Sequence, residues 1–406
     1  MITTQTDHPG APAGLWNYRF VSLMAVTFLA AAFTASLTPL LPAYVEEQLQ
    51  RPPRFTGFLA AMPMFVAGFL FLVGGALADR FGYKRILLLG LAGSGFNGLV
   101  FLFASSPLLI GISIFIGAGF ALQAVGLQSY LLRATKSSRL GMGSAVFFMG
   151  CTLGGALGNL LFGPVADAWG YRAMGSMMVV GMGGVTVASL VLLPEIPLPS
   201  LSGQARTLRS SFVGYGDLLS RTQVRWLLGV RFLAAFTWGT ATFAFPYLLF
   251  VHTQVKRQPA FYAAASLAVA ACAQILTGRL CDRFSVHWPV RIASVGLLLS
   301  CLCTAIWADS IVGLWIFGIA MTASAWSLST TMPALMHLVS TEHEKGKIVG
   351  ATHLAWALGM ASGQMSSGRL LESGASACYW VGLIFAIATV ICVWRMVRDL
   401  SSCVQP

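Results

Sequence analysis

The sequence predicts an all-α membrane protein: twelve transmembrane helices in two six-helix halves, each half built from two inverted three-helix repeats. Three observations lead there. Of 406 residues, 57% are hydrophobic and only 9% are charged, whereas a soluble domain carries about 25% charged residues. Most of the surface must therefore face lipid. The apolar residues fall into twelve runs, each near the roughly 20 residues that cross a bilayer. One short charged pattern, GGALADRFGYKR at 74–85, returns at half-chain spacing.

The first run, 20–44, follows a polar tail (1–19) that has no basic n-region. It exceeds the ~7–15 apolar residues of a cleavable signal, so it reads as a retained helix. Runs at 55–78, 86–105, 107–132, 141–165 and 173–193 complete an N-terminal half over 20–193. The stretch 194–223 is rich in Pro, Ser and Arg, is the longest connection, and reads as a linker. Runs at 224–250, 260–280, 290–308, 311–338, 348–370 and 376–396 form a C-terminal half over 224–397, followed by a tail, 398–406. The 43 glycines suit helices that approach closely in lipid.

The net charge of +12 would suggest nucleic acid in a soluble protein. Its distribution gives a plainer account. With the N-terminus inside, eighteen of the 25 Lys and Arg residues fall on the cytoplasmic side, six on the other, and Arg231 within a span. That is the positive-inside bias. It puts both termini and the linker in the cytoplasm of a bacterial inner membrane and leaves no role for nucleic acid. The eight cysteines lie almost entirely in apolar runs, without metal-ligand spacing or a disulfide framework. No metal or cofactor is expected, and no clustered nucleophile and base suggest an enzyme.

The charged pattern closes the second span and recurs as TGRLCDRF at 277–284, closing the eighth; Gly75 and Gly278 are 203 residues apart. Weaker copies, FGPVADAWGYR (162–172) and SGRLLESGASA (367–377), end the fifth and eleventh spans, with Gly163 and Gly368 205 residues apart. The copies end on opposite sides of the membrane, so each half is an inverted repeat of the kind secondary transporters use.

The residues Gly75, Leu77, Asp79, Arg80, Gly82, Lys84 and Arg85, with Gly278, Asp282 and Arg283 in the copy, resemble the loop 2–3 motif of the major facilitator superfamily. Pro39 to Tyr44, at the end of the first span, is also similar. The resemblance covers essentially the whole chain. It implies alternating access about a central site, with the motif as an inner gate. Glycine suits close contact and a tight turn. Asp79 is suited to face a helix N-terminus or a basic partner. Arg80, Lys84 and Arg85 also have a purely topogenic reading. Two departures stand out. Ser113 occupies the place of an Arg common in the fourth span. GCTLGGALGN (150–159) has Gly155 and Asn159 where an export-type motif has Pro and Gly. Its glycine spacing reads more readily as plain helix packing.

Two ionisable residues lie within spans, Arg231 and His353. Such residues are costly in lipid and are candidate functional groups. Stripes at helical spacing add Thr34 in the first span, Trp238 and Thr242 beside Arg231 in the seventh, Ser327 next to Trp326 in the tenth, and Trp356 beside His353 in the eleventh. The fourth span offers Gln123, Gln128 and Tyr130. The family resemblance puts spans one, four, seven and ten around the cavity. A single Ser or Thr more often bonds its own helix carbonyl. No acid lies deep in a span, so proton coupling would fall to Glu46, Glu47, Asp79 or His353. An aromatic, weakly polar cavity with one fixed positive charge suits a small amphipathic organic molecule. The reading is therefore a monomeric secondary transporter acting by efflux. The alternatives are an uptake permease or facilitator for an organic anion and, in another class, a non-transporting membrane sensor or scaffold.

Overall fold

A computed structural model of the chain describes residues 16–135, 140–195, 215–340 and 345–402. Most of the expected tails and linker, Lys136, Arg139, Arg206 and Arg209, and the side chains of Gly75 and Asp79 lie outside the described residues. The described chain is helical, without strands.

The first span is two helices, α1 (Tyr18–Thr34) and α2 (Leu37–Tyr44), followed by a π turn, Val45–Leu49. The sequence reading had one uninterrupted helix. Pro39 explains the break: it has no N–H for the Ala35 carbonyl, and its ring crowds that carbonyl. Helix α3 (Pro53–Phe81) is the second span. The third also breaks, into α4 (Tyr83–Ser94) and α5 (Phe96–Leu99), where the Asn97 amide donates to the Ser94 carbonyl at 2.6 Å and competes with the helix for it. Then come α6 (Ser106–Ala134) and α7 (Leu140–Leu192), which holds the fifth and sixth spans joined at Gly170. After a short α8 (Tyr215–Ser220), the remaining spans are α9 (Thr222–Thr253), α10 (Arg257–Phe284), α11 (His287–Ile306), α12 (Ile311–Val339), α13 (Lys345–Leu370) and α14 (Ala377–Ser402).

Among the described residues, nine helices are long and apolar enough to cross a membrane, one of them the merged pair in α7. The broken third span and α13 are not among them. For α13 the reason is packing: it lies between α3 and α9, so it can carry Gly, Ser, His and Gln that lipid-facing helices avoid.

The repeats are visible in the backbone. Gly82 (φ 92°) and Gly170 (φ 79°) form the corners after the second and fifth spans, and Ser285 (φ 75°) and Gly374 (φ 146°) form those after the eighth and eleventh. Side-chain stacking repeats as well, with Arg80 over Phe81 at 5.3 Å and Arg283 over Phe284 at 5.4 Å. Close packing repeats too. A β-carbon at Gly154 or Gly158 would sit 2.2 or 2.0 Å from the carbonyl oxygen of Phe28 or Ala32 in α1. At Gly359 or Gly363 it would sit 2.3 or 2.2 Å from that of Phe232 or Phe236 in α9. The 150–159 ridge is thus a packing surface within its half.

The two halves meet chiefly through α3 against α13 and α7 against α10. One end of the bundle carries Arg80, Lys84, Arg85, Arg279, Arg283 and Arg291 and is called the basic end. The other carries the π turn and the starts of α3 and α10.

Ser285 occupies a corner where its copy has Gly82, at φ 75° and ψ 152°. That region is nearly glycine-only and costs a side chain about 1–3 kcal/mol. Ser285→Gly should raise thermal stability in detergent by about 1 kcal/mol, and Gly82→Ala should lower it by a similar amount; scanning fluorimetry reads both.

Candidate functional site

One small pocket lies within the C-terminal helices near mid-depth. Arg231, Ala234, Ala235 and Trp238 line it from α9, Ala325, Leu328 and Ser329 from α12, and Trp356 from α13. The α9 spacing puts all four of its residues on one face. The Arg231 Nη1 donates to the Ser329 hydroxyl at 3.0 Å, and the guanidinium lies 5.7 Å from the Trp356 ring. No carboxylate pairs with Arg231 among the described residues. A guanidinium offers five N–H donors, and among the described residues Ser329 is the acceptor that Arg231 meets. The free volume is about 10 Å³, space for about one water.

An aromatic chain leads from this pocket to the other half. Trp356 lies 6.1 Å from Phe120 of α6, Phe120 lies 6.1 Å from Phe71 of α3, and Phe71 lies 5.0 Å from His353 of α13. His353 is 2.9 Å from the Val349 carbonyl through Nδ1 and 3.4 Å from the Gln128 amide through Nε2. Arg231, Trp238 and Trp356 are brought together, and His353 sits one helical turn away at the junction of the halves.

The other predicted residues fall elsewhere. The Thr34 and Thr242 hydroxyls donate to the Ala30 and Gly239 carbonyls of their own helices. Gln123 faces Ser94 at the α4–α6 contact and accepts its hydroxyl. Helix α12 is turned so that Ala325, Leu328 and Ser329 meet the pocket, while Trp326 and Ser327 do not line it. The Trp326 Nε1 is buried without a partner. Ser329, Phe71 and Phe120 were not singled out by sequence, whereas Gln128 was among the residues offered by the fourth span. Phe in an apolar span reads like any lipid-facing Phe. Ser329 lies one residue off a stripe that looked more regular.

Within the charged motif, Lys84 donates to the Leu190 carbonyl at 2.8 Å, where α7 ends and a cation is favoured. Leu77 packs with Ala78, Tyr83 and Ile86. Arg85 and Asp282 are exposed, and neither forms an ion pair among the described residues. A β-carbon at Gly278 would meet open space, so this copy makes no close helix contact there.

The opposite end is latched. Among the described residues, three ion pairs cross between the halves: Lys256 to Glu47 at 3.0 Å, Arg257 to Asp167 at 3.6 Å, and Arg54 to Glu372 at 3.7 Å. The first is the most shielded, with its side chains 24% and 28% exposed, and Lys256 also lies 4.6 Å from the Tyr171 ring. Beneath the latch, a β-carbon at Gly57 would stand 2.7 Å from the Gln364 carbonyl oxygen and 2.9 Å from the Gly368 Cα.

The sequence profile of the Major Facilitator Superfamily matches residues 23–363 and again 258–402. The chain belongs to the Major Facilitator Superfamily. Membership sets it among membrane transporters rather than enzymes. Curated relatives include a multidrug transporter of Candida glabrata, 27% identical over 206 residues. That alignment covers 47% of this chain and 33% of the relative, so the chain spans about a third of that protein's length. The enterobactin exporter EntS of Shigella flexneri is 25% identical over 381 residues, covering 90% of this chain and 84% of the exporter. Among solved structures, the human organic anion transporter TETRAN superposes with TM-score 0.72 at 16% identity, covering 93% of this chain and 99% of that one. A POT family transporter reaches 0.74 at 13% identity, covering 95% and 96%. At these identities the structural likeness concerns the fold.

An exposed ion pair contributes about 0.2–1 kcal/mol. Removing all three pairs as Arg54→Gln, Lys256→Met and Arg257→Gln should shift the equilibrium toward opening at the latched end by about tenfold. Hydrogen–deuterium exchange should then accelerate at 53–60 and 364–372 while 228–236 keeps its protection. Unchanged exchange at 53–60 would mean the pairs do not hold this end.

Proposed function

We propose that the protein exports a small amphipathic organic molecule bearing an anionic group, by alternating access of the two halves around Arg231. The observation that carries this is the Arg231 guanidinium itself, inside the bundle, bonded to Ser329 and set against Trp356 without a counter-ion among the described residues. An unpaired charge in an apolar interior is costly, and an anionic substrate would offset that cost only while bound. The neighbouring rings of Trp356, Trp238 and Phe120 offer faces for an apolar body. Export is the direction named for the enterobactin exporter among the relatives.

In this reading the basic end is cytoplasmic, the membrane is the bacterial inner membrane, and the protein acts as a monomer. The structure is then closed outward by the three ion pairs, and substrate enters when the basic end parts at the Phe71–His353 and Gln128–His353 contacts. Asp79 in the motif acts at that inner gate. Glu46, which has a buried carboxylate oxygen without a partner next to the paired Glu47, is the proton-coupling acid. A facilitator for an organic anion is the second reading, favoured by the absence of any carboxylate from the pocket lining.

Uptake of a fluorescent aromatic anion into inside-out vesicles tests this. Arg231→Gln should lower transport efficiency for the anion by about 10- to 100-fold, as expected for a lost charge-assisted contact, and should spare a neutral analogue. Equal losses for both would make Arg231 a structural residue. Collapsing the pH gradient should abolish accumulation in the wild type. Accumulation that persists would leave the export pocket standing but remove Glu46 from the cycle.

A further inference from the structure

A second site lies on the lipid-facing side of the C-terminal helices at the basic end. A groove of about 690 Å³ runs between α11 and α14, lined by Arg291, Val390, Ile391, Trp394, Arg395 and Arg398. Among its described lining residues three are arginines and none is acidic. No ion pair to any of these arginines is formed among the described residues. Asp399, the acid nearest in sequence, accepts the Trp226 indole N–H at 3.0 Å on the side facing α9.

The arginines are arranged unequally. Arg395 and Arg398 are exposed at the end of α14. Arg291 is held inward, its guanidinium 4.6 Å from the Trp394 ring, and its Nε is buried without a partner among the described residues. Orientation of the chain in the membrane accounts for exposed arginines at this end. It does not account for a third that is stacked, partly buried and left with an unused donor.

Below the arginines the surface turns apolar. On α14, Ile384, Ile387, Ile391 and Trp394 are 65%, 44%, 54% and 51% exposed, and their spacing puts them on one stripe that leads to Arg398. On α11, Ile292 and Leu299 are 61% and 54% exposed. Cations above, an indole at the boundary and aliphatic side chains beneath match, in order, the phosphate, glycerol and acyl layers of a phospholipid.

We infer that the groove between α11 and α14 binds an anionic phospholipid of the leaflet at the basic end. Arg291 and Arg398 hold the phosphate, Trp394 lies at the glycerol level, and the acyl chains lie along Ile384, Ile387 and Ile391. In the orientation proposed above this is the cytoplasmic leaflet, though the binding itself does not depend on the direction of transport.

Native mass spectrometry of the full-length protein in neutral detergent tests the inference, with phosphatidylglycerol and phosphatidylcholine of matched chains supplied together. The wild type should retain phosphatidylglycerol in preference by about tenfold. Arg291→Gln with Arg398→Gln should bring the two lipids near parity. If that pair fails to fold, Arg395→Gln with Arg398→Gln, at exposed positions, should still reduce the preference severalfold. Arg231→Gln should leave it intact. Equal retention of both lipids by the wild type, or an undiminished preference in a folded variant, overturns the proposal. Displacement of the lipid by millimolar inorganic phosphate also overturns it and makes the groove a site for soluble anions. No transport substrate is present, so failure here leaves the export reading standing, and failure of Arg231 in transport leaves the lipid site standing.

Discussion

Lipid makes charge expensive, and the placement of a few charges organises this molecule. In water an ion at a helix surface costs little; in hydrocarbon it must reach the interface, find a partner or be kept for function. The described helices show all three. Lys84 reaches the end of α7 and caps its Leu190 carbonyl. Lys256, Arg257 and Arg54 reach acids of the opposite half. Arg231 does neither and keeps only a serine hydroxyl and an indole face. The first arrangement fixes a helix end, the second holds one end of the bundle shut, and the third leaves a charge without a counter-ion among the described residues.

Uncharged helices need another way to choose their neighbours, because lipid tails are as apolar as leucine. Glycine supplies it by allowing backbone to approach backbone. The ridge of Gly154 and Gly158 seats α7 on α1, and that of Gly359 and Gly363 seats α13 on α9. These contacts lie within each half, whereas Gly57 and Gly368 meet across the halves under the latch. Close packing inside a half and ion pairs at the rim between halves suit rigid bodies that rock against each other. Exposed pairs are weak enough to break; interdigitated backbones are not.

The spans, the two halves and the four corners could be read from the sequence because they follow from quantities it carries directly: run length and the spacing of Gly75, Gly163, Gly278 and Gly368. Serine at 285 in a glycine's conformation shows that the corner outlasts its usual residue. Helix breaks were harder. Pro39 and Asn97 each redirect one hydrogen bond, which hydropathy does not register. The pocket was legible only in part. Arg231, Trp238 and Trp356 announced themselves by chemistry and spacing, whereas the rotation of α12, which substitutes Ser329 for Ser327, depends on how it packs against α11. There Ser324 lies beside Gly296, a contact between distant segments that no local pattern specifies. The latch was visible only as unpaired members, five acids and six cations at one end; which acid meets which cation is a property of the fold.

The latch and the pocket bear on each other through their geometry. With the rim closed, the volume beside Arg231 is about that of one water, so an organic substrate and this arrangement exclude each other. The wall that must yield is aromatic, because Trp356, Phe120, Phe71 and His353 form a continuous series from the C-terminal half to the N-terminal half and back. Rings held by dispersion and edge contacts separate without leaving unsatisfied hydrogen-bonding groups, and the same faces are then free for a substrate's apolar body. Parting at the basic end breaks those contacts and the His353–Gln128 approach while leaving the three ion pairs intact; parting at the other end breaks the ion pairs. Each opening therefore sacrifices a different kind of interaction, and a molecule that brings its own anion and its own apolar surface replaces in the pocket what the first opening removes.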